Sequence, residues 1–147
     1  LPSFDDVDQK NGFDYHSDDV HYDAEQNRLS MELKHAYPNE SGLVKFVRTG
    51  ELNNGEIRIT DDIELDSQKK ITFHFMTLNQ PNIAENGAIQ LNDQRKLHYD
   101  GNVLKASVEK IQLEDPTISK NWNTDAVYRI LLTAEKMQNN RFEFTIK

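Results

Sequence analysis

From residue 28 onward apolar and polar residues alternate with period two, which predicts strands rather than helices. Leu29, Met31 and Leu33 share one face, and Arg28, Ser30, Glu32 and Lys34 the other. Ala126, Tyr128, Ile130 and Leu132 line up in the same way, as do Phe142, Phe144 and Ile146. The run Ile71-Thr72-Phe73-His74-Phe75-Met76 is apolar on both faces and predicts a central strand. Further strands are expected around 88–91, 96–99 and 104–113. Turn signals at Pro38-Asn39, Asn54-Gly55, Pro81-Asn82, Asn86-Gly87, Asp100-Gly101 and Asn139-Asn140 separate these runs. No helical period exceeds two turns. The pattern therefore predicts an all-β, antiparallel β-sandwich of about ten strands in two layers, with no substantial helix.

One hairpin can be registered residue by residue. If Asn54-Gly55 forms a two-residue type I′ turn, Asn53 faces Glu56 and every pair follows. One face then carries Val44–Leu65, Phe46–Ile63, Arg48–Asp61, Gly50–Ile59 and Leu52–Ile57. The other carries Lys45–Glu64, Val47–Asp62, Thr49–Thr60 and Glu51–Arg58, whose opposite charges and matched threonines favour this register over a one-residue slip. Arg48 and Asp61 become the only charges on an otherwise apolar face, opposite each other. Such a residue pair is ordinarily an internal ion pair; the functional alternative makes Arg48 a receptor for a glycan carboxylate.

The chain has 147 residues, which fits one domain, 1–147, with residues 26–147 as the sandwich core. Residues 1–25 carry eight acids and one base, Lys10, and are expected to be an acidic, partly flexible lead-in. They lack the regular Asp-x-Asp-x-Asp-Gly loop of a calcium site. The first residues have no basic start, apolar core or initiator Met, which suggests an internal start rather than a signal peptide. A net charge of −8 without a Lys/Arg cluster argues against nucleic acid or an anionic membrane as partner. With no cysteine there is no disulfide framework, thiolate zinc site or cysteine nucleophile.

The candidate chemistry is sparse. The histidines His16, His21, His35, His74 and His98 form no His-x-x-x-His pair. His16 and His21, five apart in the acidic segment, are a weak zinc pattern with an Asp. His74, between two phenylalanines, is more ordinarily a hydrogen-bonded structural histidine than a general base. No nucleophile elbow, phosphate loop or dinucleotide fingerprint occurs, and no two carboxylates stand out as a glycosidase pair. Trp122, the single tryptophan, lies in a stretch expected to be a polar loop, Ile118 to Asn123. Its indole suits stacking on a sugar, capping the core or docking on a neighbouring domain.

Several of these stretches, in order, resemble the heparinase II/III-like polysaccharide lyases. They are Leu33-Lys34-His35-Ala36-Tyr37-Pro38 with Val47-Arg48-Thr49, Ile59-Thr60-Asp61-Asp62, Thr72 to Thr77, Ile111 to Pro116, Trp122, and Tyr128-Arg129-Ile130. The resemblance runs from about residue 18 to the end. It implies the C-terminal part of a β-sandwich that follows a helical toroid, in enzymes that cleave uronic-acid-containing polysaccharides by β-elimination. There the uronate carboxylate is neutralised, a Tyr or His takes the C5 proton, and an acid protonates the departing oxygen. The family's catalytic Asn, His and Tyr, and its His/Asp zinc ligands, belong to segments upstream, so no catalytic or metal residue and no cofactor is expected in this chain.

The expectation is thus a non-catalytic sandwich supporting an upstream helical catalytic domain, periplasmic or secreted, in contact with acidic polysaccharide. Trp122, His74, Tyr128 and Arg129 are its expected glycan or domain contacts. An independent carbohydrate-binding module and a structural or adhesion sandwich are the alternatives.

Overall fold

The computed structural model describes residues 1–147. The strands are β1 (Ser3–Phe4), β2 (Asp18–Asp23), β3 (Arg28–Glu32), β4 (Leu43–Asn53), β5 (Glu56–Thr77), β6 (Asn82–Glu85), β7 (Ala88–Asn92), β8 (Arg95–His98), β9 (Lys105–Gln112) and β10 (Ala126–Ile146). A single α-helix, α1 (Pro116–Trp122), separates the last two. Hydrogen bonds link the strands in the order β2-β3-β4-β5-β10-β8-β7-β6, with β1 on β5 and β9 on β10. Every pairing is antiparallel.

Two long strands pass through both layers of this all-β sandwich. Residues 57–65 of β5 lie between β4 and residues 139–146 of β10. Residues 71–77 of β5 pair with residues 128–134 of β10, whose other edge carries β9. Phe142 pairs with Asp61. Phe73 lies twelve positions further along β5, roughly 40 Å away if the strand were straight. Yet the Phe73 ring centroid is 4.7 Å from Phe142 and 4.8 Å from Phe144. The long strands must therefore fold over, and β10 shows where. Its register shifts on both sides of Met137, and Lys136 has φ 55°. A bulge of this kind bends the strand and carries it from one layer to the other.

The core lies between the two layers. Phe4, Phe46, Ile71, Phe73, Ile130, Leu132 and Phe144 are all fully buried there or nearly so. The period-two faces predicted along β5 and β10 supply most of them.

Four local expectations are corrected. The acidic segment 1–25 is more than a lead-in, because it contributes β1 and β2. Phe4 is fully buried and packs edge-on against Tyr37 and Phe46. Its neighbours Asp5 and Asp6 are drawn to Lys69 and Lys70 of β5, which offset their charge. In the 44–65 hairpin, Asn54 and Gly55 have φ 51° and 78°, and every pair from Lys45–Glu64 to Asn53–Glu56 is as expected. Beyond it, however, Leu65 faces Leu43, since a bulge turns Val44 out to solvent.

The supposed turn at Asn139-Asn140 is continuous strand, paired with Glu64 and Ile63. The ladder to β5 holds these asparagines extended in spite of their turn propensity. Finally, the expected loop around Trp122 is largely helical. Asp115 caps α1 by accepting a hydrogen bond from the Thr117 amide, Pro116 opens it, and Asn123 closes it at φ 51°. Seven residues are too few for a helical period to register.

Candidate functional site

Three groups of polar side chains stand out, each built by different strands. The first is inside the hairpin. Because Arg48 and Asp61 are directly cross-strand, the guanidinium meets the carboxylate in a two-pronged contact: Nε donates to Oδ1 at 2.7 Å and Nη2 to Oδ2 at 2.6 Å. Asp61 is wholly buried, and the Arg48 side chain is 22% exposed. Burial pushes the Asp61 carboxyl up from its ordinary range, and the Arg48 hydrogen bonds and charge oppose that rise. Both carboxylate oxygens and two guanidinium nitrogens are committed to each other, the geometry of an internal ion pair. Arg48 also lies 5.7 Å from the Phe46 ring centroid.

The second group is on the outer face of the β5–β10–β9 layer. Phe73 and Phe75 point into the core, so His74 and Met76 point out. His74 pairs with Leu131, and Arg129 pairs with Met76 and with Glu109 of β9. This places His74 and Arg129 diagonally on one face, where Arg129 forms an ion pair with Glu109 through both Nε and Nη2. His74 Nε2 lies 3.2 Å from the Ser3 hydroxyl, while its buried Nδ1 has no hydrogen-bond partner. Burial, reinforced by the Arg129 charge, lowers the His74 pKa, so the ring is neutral at neutral pH. Tyr128, next to Arg129 in sequence, projects to the opposite side of the strand. Trp122 ends α1 and is half exposed. Of the four expected contact residues, then, the fold brings together His74 and Arg129 only.

The third group was not legible from spacing. The His16 amide donates to the His35 carbonyl at 3.2 Å, laying the segment before β2 against the turn that follows β3. Asp18, the first residue of β2, sits between the two rings. Its Oδ2 is 2.6 Å from His35 Nδ1 and its Oδ1 is 3.4 Å from His16 Nε2. The His35 hydrogen bond holds the Asp18 carboxyl below its ordinary range. The three donor atoms all lie within 4.8 Å of one another, the one set in the protein spaced to hold a metal ion. His21, the partner suggested for His16 by sequence, is not in it. The cluster opens into a groove of about 580 Å³ also lined by Asp14, Tyr15, Asn39 and Glu40.

No protein-family model matches the chain, and no curated protein matches it by sequence. By fold it is similar to heparan sulfate lyase HepC from Pedobacter heparinus. That crystal structure aligns with 89% of this chain at a TM-score of 0.60 and 8% sequence identity. The match takes in 21% of the HepC chain, so this chain spans about a fifth of that protein's length. At this identity the likeness is one of fold.

Proposed function

We propose that this chain is a non-catalytic β-sandwich domain of a heparinase II/III-like polysaccharide lyase, which supports an upstream catalytic domain. The observation that carries the reading is the fold likeness to HepC, covering 89% of this chain but only 21% of that enzyme. The motifs from Leu33 to Ile130 named above point the same way. The site geometry is in keeping with support rather than chemistry. Arg48 and Arg129 are each engaged by a carboxylate, and His74 Nε2 lies against the Ser3 hydroxyl of β1. Its parent enzyme would act by β-elimination on a uronic-acid-containing polysaccharide, in the periplasm or outside the cell. The outer face around His74, Met76 and Arg129, with half of the Met76 side chain exposed, is the surface we assign to the neighbouring domain.

The test is depolymerisation of heparan sulfate and related polysaccharides, followed by ultraviolet absorbance of the unsaturated product. The isolated chain is expected to yield none, whereas the full-length protein yields product and loses it when this domain is deleted. Product formation by the isolated chain would overturn the reading.

The half-exposed indole of Trp122 favours a second reading, an independent carbohydrate-binding module. It predicts that the isolated chain is retained on immobilised glycan and that Trp122→Ala abolishes retention.

A further inference from the structure

We propose that His16, Asp18 and His35 form a zinc-class metal site that staples the segment before β2 to the turn after β3. The inference rests on side-chain geometry and is independent of the lyase reading. It gives His16 a different partner from the His21 that the sequence pattern weakly suggests, namely His35 from the turn after β3.

A hydrogen-bonded His–Asp couple would need one imidazole, but here two, from positions 19 residues apart, converge on one carboxylate. The backbone bond from His16 to His35 fixes them there, with ring centroids 5.7 Å apart. Two imidazole nitrogens and a carboxylate oxygen are a three-ligand zinc set. At Zn–N distances of about 2.0–2.1 Å, tetrahedral geometry sets neighbouring donors roughly 3.4 Å apart. The His16–Asp18 separation is already 3.4 Å, and the widest gap in the set is at most 4.8 Å. Rotation of side chains that are 55%, 37% and 60% exposed can close the difference without moving the backbone.

The donor types also select the ion. Calcium and magnesium take oxygen ligands, whereas two imidazoles favour zinc and its late first-row neighbours. The groove supplies the way in and leaves a fourth position for water, with the carboxylates of Asp14 and Glu40 in its wall adding to the negative field.

The tag-free chain, stripped with chelator, is titrated with zinc chloride by calorimetry and scanned for its melting temperature. One equivalent is expected to bind with micromolar affinity, and the melting temperature is expected to rise with excess zinc. His35→Ala and Asp18→Asn should each weaken binding roughly tenfold or more, while His21→Ala leaves it unchanged. His16→Gln removes a ligand from the other segment and serves if His35→Ala fails to fold. Cobalt(II) in place of zinc should give the intense visible bands of a four-coordinate ion, absent in Asp18→Asn. No uptake at millimolar zinc, or uptake that survives both ligand variants, would overturn the site.

Discussion

Arg48 and Asp61 face each other across β4 and β5, and the two hydrogen bonds between them occupy both carboxylate oxygens. Asp61 has no water to fall back on. Arg48→Ala should therefore cost about 3–5 kcal/mol, since it strands a buried charge. Asp61→Ala should cost a similar amount, and the double variant much less than the sum. Urea unfolding of the three variants measures this coupling, and additive losses would dissolve the pair. In Arg48→Ala burial is the largest influence left on Asp61, so its carboxyl rises further and ionises at a cost. That variant should be relatively more stable at about pH 4 than at about pH 7.

His74 predicts a pH dependence of the opposite sense. Its folded-state pKa lies below that of the unfolded chain, about 6.5. Between the two values the unfolded chain binds more protons, so stability rises with pH. The contribution is full above about pH 6.5 and is lost as pH falls from there through the folded pKa. Denaturation midpoints of the wild type and of His74→Gln, compared across that window, should show a shallower slope in the variant. Parallel slopes would mean that His74 is not the group responsible.

Phe73 touches Phe142 and Phe144 across the layers. Phe73→Ala should destabilise the protein by about 3–5 kcal/mol, lowering the urea midpoint. Met76→Ala, three positions on and half exposed, should change stability by under about 0.5 kcal/mol.

Gly87 has φ 88°, and a Cβ there would stand 3.1 Å from the Tyr99 carbonyl oxygen. Its own carbonyl accepts from the Tyr99 amide, so the turn cannot simply open. Gly87→Ala should cost about 1–2 kcal/mol, read as a lowered melting temperature. Gly50 has a negative φ and open space around its Cβ position, so Gly50→Ala should be close to neutral.

These residues also show how far the fold could be read from sequence. Asn54-Gly55 imposes one turn type, and everything opposite it follows by counting, including Arg48–Asp61. Val44 escapes that count because a bulge leaves no local mark. Asn139-Asn140 misleads for a related reason. Its turn propensity is local, but its strand conformation is imposed by β5, which lies some seventy residues earlier. The face shared by His74 and Arg129 follows from alternation only once β5 and β10 are known to pair. The His16–His35 convergence was beyond reach altogether, because no spacing rule joins an acidic segment to a distant turn. Candidate ligands five apart looked better on paper than a pair nineteen apart.

The passage of β5 and β10 through both layers governs how the molecule can assemble. Neither layer is complete without β10, which follows the other nine strands in chain order. A nascent chain ending at α1 already holds the aromatic face of β5 but lacks the part of each layer that β10 supplies. The hairpin of β4 and β5 pairs residues close in sequence and can form early, whereas both layers need the twenty-one residues of β10. Until β10 is in place, Phe73 and Phe75 lack the Phe142 and Phe144 rings that pack on them, which leaves apolar surface for a chaperone to hold.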